Sequence, residues 1–243
     1  MELRLEWGPT GAKALAPECD VAVVVDVLTF STTVSVAIDE GIQIKPYRWA
    51  DAWAGDAALA AGATLAVPRP DTAVGDVSLS PATFRSAKGL SRVLLPSPNG
   101  STICAALAEA GATVVVGCLR NRQAVARFLS ESGGRVLLVP AGERWPDDSL
   151  RPAIEDLWGA GGIAAALLDG RTPEVAVSDE ALAAAAAYAL FESRIGEALA
   201  ACPSGQELID IGYASDVAVA AEHDTSRAVP TLVDGWLVSQ VGE

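Results

Sequence analysis

Asp26, Glu143, Glu155 and Asp156 are acids set at or just beyond the ends of apolar runs, where an uncompensated charge is out of place. Burying a carboxylate there is costly unless it is paired, hydrogen-bonded or bound to a cation. Hard oxygen donors in this number suit Mg²⁺, which takes one or two carboxylates, keeps several waters and engages phosphate oxygens. Asp26, Glu143, Glu155 and Asp156 are therefore the candidate metal ligands, with Asp26, Glu143 and Asp156 as candidate catalytic groups. A plainer reading stands beside this one. Asp26 would close a turn, and Glu155 and Asp156 fall in a predicted first helical turn, where negative charge is favourable anyway.

Two segments offer a complementary surface for an anion. Ser31-Thr32-Thr33 opens a predicted helix just after Asp26, and Asn99-Gly100-Ser101-Thr102 opens another. Helix N-termini present free N–H groups and the positive end of the dipole, and a small glycine-containing loop lets amides approach phosphate. Neither is a P-loop, because the lysine is missing. Ordinary caps and an Asn-Gly turn explain both segments equally well. His223 is the only histidine and no GxSxG accompanies it, which argues against a Ser-His-Asp hydrolase and leaves it a surface or supporting role. Cys118 shows no cluster of basic neighbours to lower its pKa, which makes it a weak candidate for a thiolate nucleophile.

Positioning these groups requires strands that end together. Val21–Val25 precedes Asp26, Arg92–Leu95 precedes Asn99, and Arg135–Val139 precedes Glu143. Each passes through a polar loop into a predicted helix: Ser31–Glu40 with Ser31 as N-cap, Ser101–Ala110, and one starting near Pro152. Thr113–Val116 reads as a strand feeding a helix over Arg122–Leu129. Ser178–Leu199 reads as helix, and Val217–Ala220 and a segment near Leu232–Val238 read as strands. Strands without polar alternation, interleaved with helices, are buried on both faces. The fold class is α/β, a layered α/β/α arrangement with a largely parallel or mixed sheet. Residues 1–243 form one α/β domain or two tightly packed subdomains, since no linker divides them. In such sheets ligands lie beyond the carboxyl ends of the strands, so Asp26, Asn99 and Glu143 are expected on one rim.

The 243 residues, 51% hydrophobic and 20% charged, have ordinary globular composition. A formal net charge of -14 argues against a nucleic-acid partner. No apolar run is long enough to span a membrane. The start, Met1–Thr10, shows no leader pattern, and the four scattered cysteines read as free thiols, so a cytoplasmic chain is expected. Trp7, Trp49, Trp53, Trp145, Trp158 and Trp236 are expected as core and interface anchors, with Trp145 inside the candidate active-site loop.

Several segments carry a resemblance when taken in order. They are Asp26-Val27-Leu28-Thr29-Phe30-Ser31-Thr32-Thr33, Leu79-Ser80-Pro81, Ser97-Pro98-Asn99-Gly100-Ser101-Thr102 and Gly117–Ala126 with Asn121. Ala141-Gly142-Glu143, Glu155-Asp156 and Ala160-Gly161 follow, then Ser204-Gly205, Leu208, Asp216-Val217, Asp224 and Val229-Pro230. Together they resemble the 2-phosphosulfolactate phosphatase family of coenzyme M biosynthesis. The resemblance implies an α/β/α fold and a Mg²⁺-dependent phosphatase acting on a small anionic phosphorylated metabolite, with a second copy of the chain as partner in a homodimer. It also implies site positions at Asp26, Asn99, Glu143 and Asp156, with Asn121 beside the substrate. Two features depart from the family pattern. Thr29 stands where the family has arginine, and Ala66–Pro70 replaces a stretch containing Gly-Glu. Arg69, Arg120 or Arg144 could substitute for that arginine, the substrate could differ, or the chain could bind an anionic metabolite without turning it over.

Overall fold

β-Branched runs that are apolar on both sides must be covered on both faces, and the chain does this by alternating strands with helices. The computed structural model describes residues 1–48, 52–169 and 175–240. It begins with β1 (Glu2–Leu5), α1 (Gly8–Leu15), β2 (Val21–Val25), α2 (Phe30–Asp39), β3 (Gln43–Tyr47), α3 (Ala54–Ala60) and β4 (Thr64–Leu65). Next come α4 (Pro81–Ser86), β5 (Arg92–Pro96), α5 (Gly100–Glu109), β6 (Thr113–Gly117), α6 (Arg122–Ser132), β7 (Arg135–Pro140), β8 (Glu143–Arg144) and β9 (Leu150–Arg151). The rest is α7 (Ile154–Asp169), β10 (Ala176–Val177), α8 (Asp179–Phe191), α9 (Ile195–Ala201), α10 (Pro203–Asp210), α11 (Ala214–Ala220), β11 (Val229–Val233) and β12 (Trp236–Gln240).

Ten strands form one sheet in the order β10-β1-β7-β2-β6-β11-β12-β3-β5-β4, and β8 pairs with β9 separately. β2 is buried along its whole length. Val21, Val23 and Val25 join the cluster that includes Val125 and Leu129 of α6, Ile163 of α7 and Tyr188 of α8. Ala22 and Val24 join the opposite cluster, with Phe30 and Val34 of α2, Phe84 of α4 and Ile103 of α5. The period of two in the strand thus feeds two helical layers, giving the expected α/β/α sandwich.

The sheet is mixed. β1, β2, β6, β7 and β10 run parallel, as do β3, β4 and β5. The β11–β12 hairpin lies between the two sets, and three successive antiparallel pairings reverse the second set relative to the first. The end of β5 therefore does not share a rim with β2 by strand direction. The loop after it nevertheless reaches Asp26, as α5 packs against α1 and β2 and the Gly100 N–H donates to the Asp26 carboxylate.

Several sequence expectations change. Val217–Ala220 lies in α11, because a short apolar run has no period long enough to separate strand from helix and Asp216, Val217, Val219 and Ala220 form its buried face. Ser178–Leu199 breaks into α8 and α9 at a 3₁₀ turn over Glu192–Arg194. The segment near Leu232–Val238 is a hairpin, with both turn residues, Asp234 and Gly235, at positive φ. The N-cap of α2 is Thr29, and Ser31 lies inside the helix. Among the tryptophans Trp158 is core, whereas Trp53 and Trp145 are exposed and Trp49 lies outside the described residues. No helix among the described residues is long and apolar enough to cross a membrane.

Candidate functional site

The residue after an all-apolar strand sits at the boundary of the core, and Asp26 occupies that position with 7% exposure. Its Oδ1 accepts the Phe30 N–H at 3.0 Å, and its Oδ2 accepts the Gly100 N–H at 3.2 Å. Both donors belong to first helical turns, whose N–H groups have no partner within the helix. One carboxylate thus ties the end of β2 to the starts of α2 and α5. A Cβ at residue 100 would drive into the Phe30 ring, so glycine is needed for this approach.

Asp156, in the first turn of α7, makes a second brace. Its Oδ1 accepts the Val27 N–H at 2.7 Å and its Oδ2 the Gly142 N–H at 2.8 Å, joining the loops after β2 and β7. Glu155 beside it is 1% exposed, and its Oε2 meets the Cys202 thiol at 3.5 Å. Glu143, partly exposed, accepts Asn99 Nδ2 at 3.1 Å, and Asn99 Oδ1 accepts Arg144 Nε at 3.3 Å.

These four acids share one electrostatic environment. Desolvation raises the Asp26 carboxyl to about 6, with Glu155 adding to the shift and the two N–H donors opposing it. Desolvation, then the charges of Asp26 and Glu155, raise Glu143 to about 7. The same causes hold Asp156 well above the ordinary carboxylate range. Arg69 and Arg151 are the cations set against this group. The donor chemistry fits a hard divalent cation, which would relieve the mutual repulsion. The ligand set is incomplete, because among the described residues no three acidic, histidine or cysteine side chains are placed to hold one ion. Mg²⁺ needs only one or two carboxylates, the remaining positions being water and substrate oxygen.

The hydroxyls named from sequence make bonds to the backbone. Ser31 Oγ donates to Val24 O at 3.2 Å, Thr32 Oγ1 to Val27 O at 2.7 Å, Ser101 Oγ to Leu95 O at 3.4 Å and Thr102 Oγ1 to Pro98 O at 2.7 Å. Thr33 Oγ1 is buried without a partner. The Gly100 amide is already taken by Asp26. Asn121 is fully buried, donating to Val116 O and Ala228 O and accepting from the Cys118 N–H, so it ties β6 to β11. Cys118 is buried with its thiol pushed upward by desolvation, which removes the thiolate option. His223 is half-buried beside Tyr188, 3.4 Å from its hydroxyl.

The three candidate arginines part company. Arg120 is 4% exposed and held by Asp39, Glu222 and Ser35. Arg144 is exposed and reaches Asn99 and Asp148. Arg69 alone lies against Thr29, with Nη2 donating to Thr29 Oγ1 at 2.5 Å, Leu79 O at 2.6 Å and Asp216 Oδ2 at 3.3 Å. Sequence reasoning missed the Arg69–Asp216 pair. The signal available was an acid, Asp216, standing before an apolar run.

Comparisons with known proteins agree in direction. A family model described as 2-phosphosulpholactate phosphatase matches residues 11–235. A probable 2-phosphosulfolactate phosphatase of Deinococcus radiodurans is 30% identical over 225 residues, covering 89% of each chain. One from Carboxydothermus hydrogenoformans is 31% identical over 230 residues, covering 91% of this chain and 90% of its own. A 2-phosphosulfolactate phosphatase of Methanothermobacter thermautotrophicus is 29% identical over 218 residues, covering 88% of each.

Proposed function

Because the chain belongs to the 2-phosphosulfolactate phosphatase family, we propose that it is a Mg²⁺-dependent phosphatase of a small acidic monoester of the 2-phosphosulfolactate type. The observation that supports this most is the meeting of Asp26 with Glu143, Glu155 and Asp156, far from it in sequence, in one partly dehydrated cluster. Such a cluster repels a phosphate dianion unless a cation is added, which ties the cofactor to the substrate.

Asp26 and Glu155 are the residues that would hold Mg²⁺. When bound, the ion supplies positive charge against the phosphoryl oxygens. Glu143 moves the proton. A carboxyl raised to about 7 is near half-protonated at neutral pH, the condition under which an acid–base group serves best. Water adds to phosphorus as Glu143 takes its proton. The phosphorus–oxygen bond to the hydroxy acid breaks, and the departing alkoxide recovers a proton from Glu143. Asn99 orients Glu143 through the 3.1 Å bond. Asp156 and the Gly100 amide hold three loops in register for this exchange, since small displacements of reacting groups are costly.

The test is phosphate release from 2-phosphosulfolactate by the full chain, with and without Mg²⁺. Turnover that stops on chelation supports the proposal. Binding of the ester without release under any divalent ion would instead favour a metabolite-binding paralogue.

A further inference from the structure

Next to the carboxylate cluster lies a cleft of about 710 Å³. Val67, Pro68, Leu79, Pro96 and Ile211 make its walls apolar, and Tyr213 and Arg69 supply the polar groups. Its lining residues Leu79, Arg69 and Pro96 connect it to the candidate active site. Leu79 O receives both Thr29 Oγ1, at 2.9 Å, and Arg69 Nη2. Pro96, the last residue of β5, leads through Ser97 and Pro98 to Asn99.

Arg69 is fixed where it faces this space. Its backbone carbonyl accepts the Tyr213 hydroxyl at 2.8 Å, and its guanidinium lies 5.3 Å over the Tyr213 ring. Asp216, the acid paired with it, is completely buried behind it and anchored by Ser80 Oγ, while the Arg69 side chain is 19% exposed. An approaching anion therefore meets the cation of this pair first. The Arg69 Nε–H is buried and has no acceptor, so it is not the atom that meets a ligand. With Nη2 held by Thr29, Leu79 and Asp216, Nη1 is the guanidinium nitrogen left to meet an acid oxygen by a single charge-assisted bond.

We propose that Arg69 and this cleft bind the non-phosphoryl end of the substrate, which is a phosphate monoester bearing a second acid group and an apolar substituent of several carbons. The acid group pairs with Arg69, the apolar substituent fills the cleft, and the phosphate is left at the carboxylate cluster. The proposal rests on the phosphatase reading above and changes its substrate, placing an apolar group where 2-phosphosulfolactate carries a sulfonate.

The experiment measures phosphate release by the full chain with Mg²⁺ from O-phospholactate, from the O-phosphate of 2-hydroxy-4-methylpentanoate, and from the methyl ester of the latter. The expected result is a kcat/KM about tenfold higher for the branched acid than for phospholactate, and about tenfold lower once its acid is capped. Arg69→Lys should shrink the difference between acid and methyl ester. Ile211→Glu, at a site 64% exposed where folding tolerates charge, should lower the ratio of branched to short substrate about tenfold. Equal kcat/KM for short and branched acids, unmoved by Ile211→Glu, would overturn the cleft assignment while leaving a phosphatase. No release from any of the three or from 2-phosphosulfolactate would overturn the phosphatase reading and this proposal with it.

Discussion

Glu143→Gln separates charge from shape at the candidate site. Glutamine keeps the volume, and its carbonyl oxygen still accepts the Asn99 amide that Glu143 accepts now. The charge is what changes. In the folded chain the Glu143 carboxyl is raised from 4.5 to about 7, so between those values the folded state binds more protons than the unfolded one. Wild-type stability therefore falls as pH rises through this window and levels off above it. Below pH 4.5 both states are protonated and the penalty vanishes. A shift of this size corresponds to about 3 kcal/mol at pH 8, an upper figure because Glu143 is only partly buried. Urea unfolding in chelator should show Glu143→Gln more stable than wild type by up to about 3 kcal/mol at pH 8 and equal to it at pH 4. Phosphate release by the same variant should fall by about 10²–10⁴-fold, the usual worth of a proton carrier. A variant less stable than wild type at pH 8, or one with the same gain at both pH values, would refute the repulsion argument.

Other perturbations follow from the same geometry. Gly100→Ala pushes a methyl group into the Phe30 ring and withdraws the amide from Asp26, so it should cost about 1–3 kcal/mol in urea unfolding and reduce turnover. Arg120→Met leaves Asp39 and Glu222 without their shared cation, costing about 3 kcal/mol by the same assay, with kcat of the folded fraction unchanged. Mg²⁺ should raise the thermal midpoint more at pH 8, where Asp26 and Glu143 are ionised, than at pH 5, where both hold protons. Equal shifts at the two pH values would count against the cluster as the ion's site.

Much of the scaffold was legible because it depends on local pattern. Valine-rich runs without polar alternation, each followed by a polar loop and a helical period, specify buried strands and covering helices whatever their partners. Acids at the ends of such runs are conspicuous, so Asp26, Glu143, Glu155 and Asp156 stood out from residue type and position alone. Long-range pairing carries no such local signature. Nothing near Val229–Gln240 indicates that a hairpin will enter the middle of the sheet and reverse β3, β4 and β5 relative to β2. Which donors a carboxylate collects, Gly100 and Phe30 for Asp26 or Val27 and Gly142 for Asp156, is likewise decided only when the loops meet. The same holds for the choice among arginines, since Arg69 lies forty residues from Thr29 in sequence and is placed against it by tertiary packing. Burial and period are properties of a segment, whereas charge pairing depends on neighbours that only the folded chain supplies.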